Sequence, residues 1–204
     1  MKLQLPYRIE TERLLLRCWE PRDAVLLKEA VDSSIDHLLP WMPWAADEPQ
    51  TVEEKADLLR TFRGNFDLGV DFVYGIFAPD EAEALGGTGL HTRIGLDALE
   101  IGYWIRASRA GEGLTTEATA ALTRVAFELT DRERVEIRCD PANERSRAIP
   151  RKLGYIEEAT LRRRLHYPEP RDVVVYSLFR ADFPSSPAAS AALEAYDAVG
   201  NRVL

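Results

Sequence analysis

Apolar and polar positions divide this chain into segments of two periods. Residues 12–18 alternate into the apolar run Leu14-Leu15-Leu16, the pattern of a first strand. Pro21-Arg22-Asp23 then opens a helix to about residue 31, with proline in the first turn, where no N–H is needed. Residues 51–66 read as a second helix, begun by the capping pair Thr51 and Glu54. Between the helices, Leu38-Leu39-Pro40-Trp41-Met42-Pro43-Trp44 is an apolar loop, because two prolines forbid a regular helix. Residues 70–78, 85–94 and 98–106 alternate as three strands, the last two joined by the hairpin signal Gly95-Leu96-Asp97. A 3.6-residue period then runs over 113–130 through Leu114, Ala118, Ala121, Leu122, Val125, Ala126 and Leu129, a strong amphipathic helix. Val135, Ile137 and Cys139 alternate as a strand, and residues 143–153 form a short helix stopped by Gly154. Residues 155–165 and 173–179 complete the pattern as a strand pair.

The order β-α-α-β-β-β-α-β-α-β-β predicts a domain of the α/β (α+β) class, over residues 1–183. Its sheet is expected to be mixed, mostly antiparallel, of about seven strands, with helices on both faces. Pro184-Ser185-Ser186-Pro187 reads as a linker, and residues 184–204 as a C-terminal appendage in which 188–199 form an Ala-rich helix.

Composition narrows the setting. With 204 residues, 46% of them hydrophobic, the chain can bury a core without metals or disulfides. Cys18 and Cys139 lie in strand-like runs without ligand spacing and read as small buried hydrophobes. No metal is expected. No apolar run approaches the ~20 residues of a membrane span, and Met1-Lys2-Leu3-Gln4 starts no signal sequence, so a cytoplasmic protein is expected. The net charge of −8 argues against nucleic acid as a partner and suits a cationic substrate better. A homodimer is compatible with the acidic charge and the Ala-rich tail, but no pattern requires one.

The chemistry concentrates in one run. Glu100-Ile101-Gly102-Tyr103-Trp104-Ile105-Arg106 feeds Ala107-Ser108-Arg109-Ala110, and Gly111-Glu112-Gly113-Leu114-Thr115-Thr116-Glu117-Ala118 opens the long helix. Glycines let the backbone wrap an anion, and the helix start supplies unpaired N–H groups and the positive end of the dipole. This is a phosphate site in form. It is no Walker loop, because no Gly-Lys-Ser/Thr follows, and no dinucleotide fingerprint, because the third glycine is missing.

The run resembles the pyrophosphate motif of the GNAT superfamily of N-acetyltransferases, Arg/Gln-x-x-Gly-x-Gly/Ala. It is most similar to the ribosomal-protein N-terminal acetyltransferase branch, where Glu-Ile-Gly-Tyr-Trp precedes the loop and Ala-Thr-Glu-Ala follows it. Ala110 and Thr115 depart from the motif at its first and last fixed positions, and Arg109 stands beside the first. A second stretch, from Asp140-Pro141-Ala142-Asn143 through Ser146 to Lys152-Leu153-Gly154-Tyr155, resembles the Asn-x-x-Ser…Lys-Leu-Gly-Phe signature of the same branch.

The resemblance covers residues 12–179 and implies acetyl-CoA as cosubstrate and an amine as acceptor. It implies that the backbone of Gly111, Glu112, Gly113, Leu114 and Thr115, with Arg109, holds the pyrophosphate. It implies that the splayed strand ending in Ile105 and Arg106 faces the pantetheine and the carbonyl. Asn143 would bond the pantetheine arm, and Ser146 would return a proton to the departing thiolate. The tyrosine that many relatives place four residues after that serine is Pro150 here. The branch's glutamate base falls on Leu165, which leaves His91, Glu100 and His166 as candidates to take the amine proton. His37, Trp41, Met42 and Trp44 fall where this fold covers the acceptor, and of Tyr103 and Trp104 only one can face the site. A protein N-terminus is the expected acceptor. A small-molecule amine (antibiotic, polyamine or amino acid) is the alternative, and a non-catalytic acyl-CoA-binding domain a further one.

Overall fold

The computed structural model describes residues 3–165 and 169–204. One sheet of nine strands forms the frame, in the order β7-β8-β6-β5-β4-β3-β2-β1-β9. The strands are β1 (Arg8–Glu10), β2 (Leu15–Cys18), β3 (Phe72–Phe77), β4 (Ala84–His91), β5 (Ala98–Ile105), β6 (Arg134–Cys139), β7 (Ile156–Leu165), β8 (Arg171–Phe179) and β9 (Glu194–Tyr196). All neighbours are antiparallel except β5 and β6. The helices are α1 (Ala24–Asp32), α2 (Ile35–Leu38), α3 (Val52–Leu68), α4 (Leu114–Glu128) and α5 (Glu144–Lys152).

Two apolar clusters fix the layers. Leu27, Ala30 and Val31 of α1 and Leu59 of α3 pack with Leu15, Trp19 and Phe77 on one face. Leu114, Ala118, Ala121, Leu122, Val125 and Ala126, the apolar stripe of α4, pack with Leu90, Leu99, Ile101 and Ile137 on the other. The Thr51–Glu54 capping box forms in both directions at the start of α3, and Gly69 ends it at φ 66°.

Nine strands replace the expected seven. The two extra, β1 and β9, have three residues each, too few for a period to register. The Ala-rich helix expected over 188–199 does not form. Ala188 is fully buried in the core that includes α4, and the Arg124 guanidinium donates to the Ala191 carbonyl at 2.9 Å. The chain then satisfies the open edge of β1 by adding β9, with Arg8 opposite Tyr196. A short isolated helix would have been marginal, whereas the edge supplies ready hydrogen bonds.

The feature that makes a site is a divergence. The parallel ladder of β5 with β6 ends at Ile101 opposite Ile137. Beyond it β5 stays with β4 as far as Ile105, while β6 stays with β8 as far as Cys139. The two strands therefore open into a V from Gly102 onward. The Arg106 N–H bonds Leu85 on the β4 side. Alternation along β5 then turns the backbone groups of Tyr103 and Ile105 toward the gap, without a strand to receive them.

Candidate active site

A cleft of about 640 Å³ occupies the mouth of the V, within the range of small-ligand sites. Four pieces line it: Tyr103 to Ile105 of β5, the loop and first turn of α4, one side of α5 from its cap to Lys152, and the wall from His37 to Met42.

The loop holds two positive torsions, Gly111 at φ 90° and Gly113 at φ 82°. Gly113 is the N-cap of α4, and no side chain caps the helix. The first helical bond is Glu117 N–H to Gly113 O, so the N–H groups of Leu114, Thr115 and Thr116 lack helical acceptors. These uncapped donors border the cleft. An anion is the natural occupant of such a place.

Glu117, an acid in that same first turn, would oppose an anion. Arg13 neutralises it at 2.6 Å and donates to the Glu112 carbonyl at 3.0 Å, while Thr11 donates to the same carboxylate. Arg13 lies between β1 and β2 and shares no pattern with the loop, so only the fold brings it there.

Arg109 lines the cleft, and its guanidinium is held by Glu83 and Glu112. Glu112 itself stays outside the lining and acts through that pair. Arg106 is buried and turned away, bonding Glu29 of α1 at 2.6 Å and Glu83 at 2.8 Å. Its side chain clamps α1 to the sheet and does not reach the cleft. Arg106→Ala is expected to cost about 2 kcal/mol of stability, because Glu29 loses its partner and Glu83 keeps only Arg109, both remaining partly solvated. A denaturant melt measures this.

On the opposite wall, Asn143 caps α5 by accepting the Ser146 N–H at 3.1 Å. Ser146 sits at the edge of the V. Tyr103 donates to the Ser146 carbonyl at 3.1 Å, and the two hydroxyls lie 3.2 Å apart. Burial pushes the Tyr103 phenol well above its ordinary range, so it stays protonated. Burial likewise pushes the Cys139 thiol up to about 11, and the neighbouring Ser146 hydroxyl partly offsets this. That thiol is therefore not a nucleophile at neutral pH. Arg145 and Lys152 also line the cleft and have no ion-pair partner among the described residues.

The structure brings His37, Trp41, Tyr103, Ile105, Arg109, Gly111, Gly113, Leu114, Thr115, Asn143 and Ser146 to one cleft. Burial, and then Arg145, lowers the pKa of His37, which leaves the ring neutral at pH 7. Trp44 stands one layer back, edge-on to Trp104 at 5.8 Å. Both Tyr103 and Trp104 line the cleft, although they alternate on β5. Tyr103 packs against the α4-side core and Trp104 against the α1/α3-side core, and the edge of β5 that β6 leaves free lets the cleft touch both. Trp104 lies over Gly87, where a Cβ would stand 2.5 Å from the indole nitrogen.

His91 and Glu100 lie outside the lining. His91 Nδ1 meets Asp71 at 2.8 Å, and Nε2 lies over Gly89 and Gly102, 2.9 and 3.3 Å from where their Cβ atoms would be. Because a carboxylate only accepts, the Nδ1–H donates to Asp71, and Nε2 faces Gly102, where the V begins. Asp71 has no sequence signal beyond standing next to a strand. Glu100 is buried and ion-paired with Arg93. His166 lies outside the described residues. Among the described residues, no group of three or more His, Cys, Asp or Glu could hold a metal ion, and no helix is long and apolar enough to cross a membrane.

A mixed sheet that opens beside an uncapped helix start, with a hydroxyl pair at the edge of the opening, defines an α/β domain with an anion-binding cleft. The family profile described as Acetyltransferase (GNAT) domain matches residues 13–156, and the chain belongs to this family of acyltransferases. It is 30% identical to YdaF of Bacillus subtilis over 84% of this chain and 94% of that one. It is 29% identical to the [ribosomal protein uS5]-alanine N-acetyltransferase of Escherichia coli, over 74% of this chain and 79% of that one. The solved structure of Mycobacterium smegmatis RimJ in complex with CoA-disulfide is 27% identical, with a TM-score of 0.75 over 90% of both chains.

Proposed function

We propose that this protein transfers the acetyl group of acetyl-CoA to a primary amine, and that the amine is a protein N-terminus. The observation that carries the donor side is the uncapped start of α4 beside the unpaired edge of β5. The first suits a pyrophosphate, and the second suits the amides of a pantetheine arm. Lys152 supplies charge for a phosphate-rich ligand at the same cleft. The relatives named for ribosomal-protein acetylation support a protein acceptor.

In this reading the amine attacks the thioester carbonyl directly. The nitrogen–carbon bond forms, the carbon–sulfur bond breaks, and the thiolate leaves. Backbone N–H groups of β5 stabilise the oxyanion, because they are fixed before the charge develops. Ser146 returns a proton to the thiolate. His91 takes the proton from the amine, its ring fixed by Asp71 as an orienting carboxylate fixes a catalytic imidazole. Glu100 is not assigned this role, because Arg93 already holds its carboxylate.

The reading is tested by an acceptor screen with acetyl-CoA and thiol detection, covering ribosomal-protein N-terminal peptides and small amines. Turnover of peptides above small amines is expected, and turnover of small amines alone sinks the protein-acceptor reading. His91→Ala is expected to lower kcat about a hundredfold, and Asp71→Asn about tenfold, with KM for acetyl-CoA unchanged. A full-rate His91→Ala enzyme removes His91 from the mechanism.

A further inference from the structure

The net charge of −8 hides a strong local opposite. Residues 145–171 carry eight Lys and Arg against three Glu. Some of these cations are committed: Arg147 and Arg151 meet Glu144 and Glu157, and Arg171 meets Asp140. Arg162, Arg163 and Arg164 are exposed and have no side-chain partner among the described residues.

Their backbone is unusual. Leu161 pairs with Val173 and Leu165 with Arg171, so three residues of β7 oppose one of β8. Arg163 takes φ 55°, a left-handed torsion that a long side chain rarely adopts, and its N–H is held by Asp172 at 2.8 Å. A bulge of this kind re-aims side chains and is found beside active sites. A regular hairpin would have left these arginines alternating across the two faces.

The bulge adjoins the cleft. Arg171, opposite Leu165 on β8, donates to the Pro40 carbonyl at 3.0 Å, which ties this end of the hairpin to the wall containing Trp41 and Met42. Arg145, near enough to His37 to lower its pKa, stands in the cleft itself. Cations thus form a partial ring: Arg145 lines the cleft, and the triplet, outside the lining, sits on the hairpin tied to its wall. The acids nearby are mostly engaged: Glu144, in the cleft lining, pairs with Arg147 and Arg151, Asp140 pairs with Arg171, Glu157 and Glu158 are bonded within the hairpin, and Asp172 accepts the Arg163 N–H, while Asp36 and Glu169 remain.

We propose that the bulged triplet Arg162–Arg164, with Arg145, docks an acceptor peptide that carries acidic side chains shortly after its N-terminal amine. The proposal rests on the acetyl-transfer reading of the cleft and adds the chemistry of the acceptor. A polyamine or polycationic antibiotic is repelled by the same ring, despite the acidic net charge. A positive surround also favours the neutral, nucleophilic form of the amine.

The test uses the full chain and two fluorescein-labelled peptides of one sequence, with glutamates or lysines following the N-terminal residue. Anisotropy is read at low and at physiological salt, with and without CoA. The acidic peptide is expected to bind about tenfold tighter at low salt, with the gap narrowing as salt rises. Arg162→Glu/Arg164→Glu is expected to invert the order, and its melting temperature shows that the hairpin still folds. Equal affinities, or an RNA hairpin that binds more tightly than the acidic peptide, overturn the proposal. Thiol release is followed separately. Preference without turnover leaves the docking surface standing and sinks the acetyl-transfer reading, whereas turnover without preference does the reverse.

Discussion

Gly113→Val is expected to weaken CoA binding about a hundredfold while the chain still folds. The cause is torsional rather than steric. A Cβ at this position has only the tip of Arg13 near it, at 3.7 Å, so there is room for one. The cost comes from φ 82°, which an L-residue with a β-branch resists by about 2 kcal/mol or more. The loop relieves that cost by rotating, and the rotation takes the N–H groups of Leu114, Thr115 and Thr116 out of register with the anion. Asparagine tolerates the left-handed region better than other side chains do, so Gly113→Asn serves as the graded control. It should recover most of the lost affinity, and Gly113→Ala should fall between the two. Calorimetry with CoA reads the affinity, and a thermal melt reads the fold. A Gly113→Val affinity within threefold of the parent would remove the loop from the donor site.

That glycine was legible because an anion loop must be written in glycines, and the helix after it in an apolar stripe. Asn143 was singled out for a ligand by resemblance, and its capping of α5 is a local bond that the structure adds. What escaped the pattern is what depends on long-range approach. Arg13 reaches Glu117 across 104 positions, and Tyr103 reaches Ser146 across 43. His91 is legible as a histidine on a strand, but its partner Asp71 arrives only when β3 and β4 are in register. The expectation that one of Tyr103 and Trp104 must turn from the site assumed a strand covered on both sides. Where β6 departs, both residues reach the cleft. Alternation also gave no warning of the tail, because alanines leave the choice between helix and strand to whatever edge lies open.

Ser146→Ala is expected to lower kcat about a hundredfold and to change the Kd for CoA less than threefold. Removal of one hydroxyl leaves the α5 cap intact, since Asn143 bonds the Ser146 backbone N–H and Tyr103 the Ser146 carbonyl. The loss therefore reads proton delivery rather than shape. Tyr103 is the rival donor. Its phenol stays protonated and lies within reach of the same serine oxygen. Tyr103→Phe separates the two possibilities. If Ser146 is the acid and Tyr103 only orients it, Tyr103→Phe costs about tenfold, and the double variant is no slower than Ser146→Ala alone. If the phenol delivers the proton, Tyr103→Phe is the slower single variant and Ser146→Ala stays near the parent rate. The four rates also show whether the hydroxyls work as a relay. In a relay either deletion breaks the chain, so both single variants and the double fall to the same level. Pro150 gives the comparison its force: no tyrosine stands one turn further along α5, so Tyr103 and Ser146 are the hydroxyls to compare at this end of the cleft.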